Sequence, residues 1–117
     1  MAIQIVQNLS VSPNPTSLPK RIELSQTLRS NLAAEQIQVQ YSLDAAHNVF
    51  FVDGDEPPAK TFSRTEKIGR TDQVCVDRVT LKTGSGQGPM ASVTIRQVIT
   101  DSIGLVVTDL VIVRLQG

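Results

Sequence analysis

The stretch Glu35–Asp44 reads EQIQVQYSLD. Ile37, Val39, Tyr41 and Leu43 alternate with Gln36, Gln38, Gln40 and Ser42. Successive side chains of an extended strand point to opposite faces, so one face here is apolar and the other polar. The segment reads as a half-buried strand with one wet face.

The same rhythm runs outward in both directions. RIELSQTL sets Ile22, Leu24 and Leu28 on one side, and SVTIRQVIT does so with Val93, Ile95 and Ile99. VCVDRVTLK begins with Val74 and Val76 inward and then changes phase to Val79 and Leu81. That change predicts a bulge near Asp77–Arg78. LVVTDLVIVRLQ, residues 105–116, is nearly all β-branched or leucine. Such a strand needs cover on both faces or a partner at its edge, so a central strand is expected, with intermolecular pairing as the alternative.

Turn residues fall between these runs, in SPNPTSLP, DAAHN, DGDEPP, IGRTD, TGSGQGP and DSIG. Only SNLAAEQIQ holds helix formers, and it runs straight into alternation. Strands are predicted at 3–11, 21–29, 36–44, 48–53, 59–67, 73–82, 91–100 and 105–116. A turn every 8–14 residues or so is the spacing of an antiparallel sandwich or barrel.

Composition narrows the class further. A chain of 117 residues is one ordinary domain, spanning 1–117, and buries enough surface for a core. Lys+Arg and Asp+Glu are equal at 11 each. A nucleic-acid binder is usually strongly basic, and an anionic membrane attracts basic chains, so neither partner is expected. The charge is unevenly spread. Residues 1–59 are mostly acidic (Glu23, Glu35, Asp44, Asp53, Asp55, Glu56), and residues 60–82 are mostly basic (Lys60, Arg64, Lys67, Arg70, Arg78, Lys82). The two segments are expected to face each other across a sheet.

Cys75 is the single cysteine, so no intrachain disulfide forms. The apolar start AIQIV is short and has no basic flank, unlike a secretion signal. No run approaches the roughly 20 apolar residues of a membrane helix. The expected compartment is cytoplasmic if the chain is complete, and extracellular or periplasmic if a leader has been removed.

A resemblance appears in the first 43 residues. A strand ending in LSVSPNP, a short crossing, IELSQTL, a turn at RSNLAAE and the strand IQVQYSL look like the opening of bacterial immunoglobulin-like or fibronectin-like domains. The resemblance implies an antiparallel sandwich of about seven or eight strands and a modular adhesive or structural role. It carries no catalytic residue. The antibody hallmarks, a core Trp and a cysteine pair, are missing.

Several motifs could carry chemistry. TGSGQGPM, Thr83–Met90, resembles a phosphate loop, but Pro89 and Met90 follow Gly88 where a P-loop needs Lys and Ser/Thr opening a helix. It is expected to be a hairpin loop between adjacent strands. In DGDEPP, Asp53, Asp55 and Glu56 are the candidate metal ligands, since Ca²⁺ takes several carboxylate oxygens. Pro57 breaks the EF-hand pattern, and a solvated acidic turn is the plainer account. His47, the sole histidine, lies near Asp44 and Ser42, yet a triad needs a rigidly held nucleophile. Cys75 has no histidine or helix N-terminus nearby in sequence and reads as a small semi-buried hydrophobe. Of the few aromatics, Tyr41, Phe50, Phe51 and Phe62, Tyr41 and one of the Phe50/Phe51 pair fall in core phase. The Asn8–Ser10 glycosylation pattern lies inside a predicted strand.

These readings predict an all-β, immunoglobulin-like sandwich with no catalytic residue and no cofactor. The expected role is a non-enzymatic structural or protein-interaction module, meeting a protein partner or a second copy through strand edges. The alternative is a ligand-binding module using loop carboxylates for calcium or a carbohydrate.

Overall fold

A computed structural model describes residues 3–84 and 91–116. Eight strands follow in order: β1 (Ile3–Ser12), β2 (Lys20–Ser30), β3 (Glu35–Leu43), β4 (Val49–Val52), β5 (Thr61–Ile68), β6 (Gln73–Thr83), β7 (Ser92–Thr100) and β8 (Val106–Arg114). No described residue is helical. The strands form two four-stranded antiparallel sheets, ordered β1-β2-β6-β4 and β5-β3-β7-β8. The all-β sandwich read from the alternation is the fold of the chain.

The core lies between the sheets and comes from the inward phase of each strand. Ile22, Leu24 and Leu28 of β2 meet Ile37, Val39 and Tyr41 of β3 and Ile95 and Ile99 of β7, all essentially inaccessible to water. Burying each such side chain contributes roughly 1.5–3 kcal/mol. Phe62 stacks on Tyr41 (centroids 4.8 Å apart) and makes an edge contact with Phe51 (4.7 Å).

The inward phase also holds polar residues, two of which pair across the sheets. Gln26 of β2 and Gln97 of β7 are buried opposite each other, one from each sheet. Each amide donates to the other's carbonyl, at 2.5 and 2.8 Å. A buried amide without a partner is costly, so the pair persists only because it is reciprocal.

Three expectations are corrected. First, β6 contains no bulge. Its pairing with β2 runs without a break from Lys20↔Leu81 to Leu28↔Gln73. Cys75, Asp77, Val79 and Leu81 all face inward, while Val74 is 65% exposed. The apparent phase change arose because Asp77 takes a core position, where its carboxylate accepts a hydrogen bond from the Tyr41 hydroxyl at 2.7 Å. The bulges lie in β1, between Ile5 and Gln7 and between Gln7 and Ser10.

Second, β6 and β7 belong to opposite sheets, so the segment joining them passes between sheets and closes no hairpin. Residues 85–90 of that segment lie outside the described residues. Third, β8 is an edge strand. Its inward Val113 is buried, but Val106, Leu110 and Ile112 face water. Alternation reports which residues are apolar, and not what covers them.

From Leu110 to Arg114 the β8 edge is nevertheless occupied. Asn14 donates to the Ile112 carbonyl (3.1 Å) and accepts from the Arg114 amide (2.9 Å), as a neighbouring strand would. Thr16 N–H donates to the Arg114 carbonyl at 2.9 Å. Asp109 accepts from Leu9 N–H of β1 at 2.9 Å and from its neighbour Leu110 N–H at 2.8 Å. These contacts stitch β1 to β8 and close one flank of the sandwich.

Arg78 of the basic segment meets Glu23 of the acidic one directly across β2–β6 (2.9 Å), whereas Arg29 and Asp72 (3.4 Å) join the two segments with the charges reversed. Both pairs are exposed and contribute little to stability.

Candidate functional site

The opposite flank is open, and there the ionisable groups converge. β4 is only four residues long and pairs with Thr80–Thr83 of β6. Beyond its end, the inward positions of β5 are Arg64 and Glu66 in place of aliphatics, and among the described residues no strand covers them on that side. Cys75 and Asp77 of β6 and Tyr41 of β3 complete the cluster.

Arg64 is held by Asp53, in the turn after β4, through two nearly equal hydrogen bonds of 2.7 and 2.8 Å. This bidentate pair is the strongest ion pair among the described residues by geometry. The Arg64 hydrogen bond holds the Asp53 carboxyl below the usual carboxylate range, against a smaller opposing effect of burial. The guanidinium is correspondingly raised by Asp53 and lies 5.0 Å from the Phe62 ring centre.

Glu66 differs. Burial, then the charge of Asp77, then a hydrogen bond to Asp77 raise its carboxyl above the ordinary value, with Arg64 opposing. Burial and the neighbouring Asp77 also push the Tyr41 hydroxyl upward. Burial pushes the Cys75 thiol up to about 11, assisted by Glu66 and Asp77. Cys75 is therefore a protonated thiol at neutral pH, without the activated thiolate of a nucleophile. It faces inward and is buried, with Sγ 3.8 Å from the Gln73 carbonyl oxygen.

A pH dependence follows. The folded chain binds the Glu66 proton more tightly than the unfolded chain, so this group lowers stability as pH rises through its raised folded value. Glu66→Gln removes the repulsion and keeps a hydrogen-bond donor for Asp77. The expected result is a higher melting temperature than the parent at pH 7.5, with the gain shrinking towards pH 4. A variant that melts lower at pH 7.5 would contradict the arrangement.

The candidate metal ligands do not assemble. Asp53 is engaged by Arg64, while Asp55 and Glu56 are exposed on the turn, which closes through Glu56 N–H to Asp53 C=O (3.1 Å) with Gly54 at φ 60°. Among the described residues no three His, Cys, Asp or Glu side chains are grouped to hold a metal ion. His47 Nδ1 lies 3.8 Å from Asp44, while Ser42 sits on β3 between Thr61 and Arg96. Of the phenylalanine pair, Phe51 is the core residue; half-exposed Phe50 lies under Lys60 Nζ at 4.7 Å.

Sequence reading overlooked Asp77, Glu66, Arg64 and Glu35. Glu35 accepts from Ser30 Oγ (2.7 Å), Ser102 Oγ (2.9 Å) and Ser102 N–H (3.1 Å), tying two turns together. These hydrogen bonds, Ser30 foremost, lower its carboxyl against the effect of burial. One signal was present: Asp77 lies two residues before Val79 and four before Leu81, in their inward phase.

No protein-family model matches the chain. No curated protein matches it in sequence. Solved structures do share the fold. A FixG-related protein from Vibrio parahaemolyticus is similar with a TM-score of 0.58 at 10% identity, over 100% of this chain and 99% of that one. Spo0M, a sporulation control protein from Bacillus subtilis, is similar with a TM-score of 0.58 at 13% identity. The match covers all of this chain and 50% of Spo0M. At these identities the likeness is one of architecture. No helix among the described residues is long and apolar enough to cross a membrane.

Proposed function

We propose that the chain is a non-enzymatic structural or protein-interaction module of bacterial, immunoglobulin-like type, and that it associates with a second copy of itself through the outer face of β7 and β8. The strand order supports the architectural part. β1-β2-β6-β4 and β3-β7-β8 read as the A-B-E-D and C-F-G rows of an immunoglobulin domain. The departure is β5, which follows β4 in the chain yet returns to the edge beside β3. Both similar structures named above come from bacteria.

One observation carries the interaction reading: a run of exposed aliphatics on one face. Val98, Val106, Leu110 and Ile112 share the outer side of β7–β8, Ile112 being 51% exposed, with Ile103 and Leu105 in the adjoining turn. Thr94, Arg96 and Thr108 share this face, and exposed aliphatics gathered on one face with a polar surround mark contact sites in soluble proteins. Asn14 and Asp109 occupy the β8 edge from Leu110 to Arg114, which favours contact face to face, where a two-fold axis sets the same aliphatics against themselves.

Light scattering tests this between about 10 µM and about 1 mM. The expected mass rises from the 12.7 kDa of one chain towards twice that value, and Leu110→Lys holds it at one chain. A parent protein that stays monomeric at the highest concentration overturns the reading.

A further inference from the structure

We propose that the uncovered edge of β6 takes an extended peptide as an added strand, with a lysine or arginine of that peptide set inward against Asp77 and Glu66. The surface lies on the flank away from β8 and shares no residue with the β7–β8 face, so it stands independently of the self-association above.

The backbone supplies the template. β4 covers β6 only at Thr80–Thr83. Phe51 exchanges hydrogen bonds with Ala59 on its far side, so Phe50 and Val52 are the β4 residues that bond to β6, at Lys82 and Thr80. By alternation, the N–H and C=O groups of Arg78, Val76 and Val74 point to the same side, beyond the end of β4. Among the described residues no strand pairs with β6 there. An incoming strand would continue the line of β4, antiparallel to β6.

The side chains specify the occupant. Continuing the β4 register puts one incoming residue opposite Asp77, pointing between the sheets. That position faces Asp77 on β6, which is buried, and Glu66 on β5. Arg64 is already committed to Asp53. Arg64 bears on these two carboxyl groups through its charge alone, its carboxylate hydrogen bonds going to Asp53, and an inward Lys or Arg supplies a cation in direct contact. The next incoming residue points outward opposite Val76, and the one three positions beyond the inward cation points outward opposite Val74; both valines are exposed and are matched by aliphatics. A recess of about 320 Å³ lined by Val52, Asp53, Gly54, Arg64 and Arg78, among others, leaves room at the junction where the new strand would start.

The test uses the whole chain and a labelled peptide, Thr-Thr-Lys-Val-Ala-Val-Thr, followed by fluorescence anisotropy. Saturable binding is expected, weakened about tenfold or more when the lysine is replaced by glutamate. Amide exchange should slow at Val74, Val76 and Arg78. Val76→Pro removes an N–H that faces the free edge while leaving the β2 ladder bonds, so it abolishes binding. Glu66→Gln weakens it several-fold. If circular dichroism finds the proline variant unfolded, Glu66→Gln and the exchange map decide. Equal affinity for the lysine and glutamate peptides, no saturation, or protection confined to other strands each overturn the proposal. Loss of peptide binding with the concentration-dependent mass intact would sink this inference alone.

Discussion

Tyr41→Ala should lower the unfolding free energy by about 4 kcal/mol, a drop of roughly 15 °C in melting temperature for a domain of this size. Three effects act together. The ring is buried and stacked on Phe62, which in turn meets Phe51, so truncation opens a cavity at the centre of an aromatic column. The hydroxyl donates to Asp77 at 2.7 Å, and its loss leaves a buried carboxylate without that donor. Glu66 beside it then faces the same uncompensated charge. Tyr41→Phe separates these contributions. It keeps the packing and removes only the hydrogen bond, and should cost about 1–2 kcal/mol. Urea denaturation of both variants checks the pair. If Tyr41→Ala costs no more than Tyr41→Phe, the column contributes nothing.

Gln97→Leu should cost about 2–3 kcal/mol, whereas Gln26→Leu combined with Gln97→Leu should lie within about 1 kcal/mol of the parent. The single substitution leaves the Gln26 amide buried with neither of its two partners. The double substitution replaces both by apolar groups of similar shape, which join the surrounding Leu24, Leu28, Ile95 and Ile99. The coupling between the two positions is the readout. Additive costs in denaturation would show that the amides do not depend on each other.

The inward rows of β2, β3 and β7 were legible because each repeats apolar residues at a period of two, and that pattern admits one burial phase. Gln26 and Gln97 were legible in the same rows as polar exceptions, Gln26 between Leu24 and Leu28 and Gln97 between Ile95 and Ile99. β6 misled for a different reason. Val74 and Val76 are more hydrophobic than Cys75 and Asp77, so composition favoured the wrong phase. What stabilises Asp77 in the core is a hydroxyl 36 residues away, and no local window contains it. The open flank was equally hidden. Arg64 and Glu66 read as exposed polar positions until the shortness of β4 is known, because a neighbour's length decides whether an inward position meets a wall or a gap. The position of β8 depends likewise on strand order, which alternation does not encode.

The stitching of β1 to β8 has a consequence for how such molecules could accumulate. A sheet protein with two available margins can pass pairing from copy to copy without limit and grow into a fibre. Here Asn14 and Asp109 plug one margin with side chains that imitate a backbone. Backbone pairing from copy to copy through that stretch of β8 is therefore blocked.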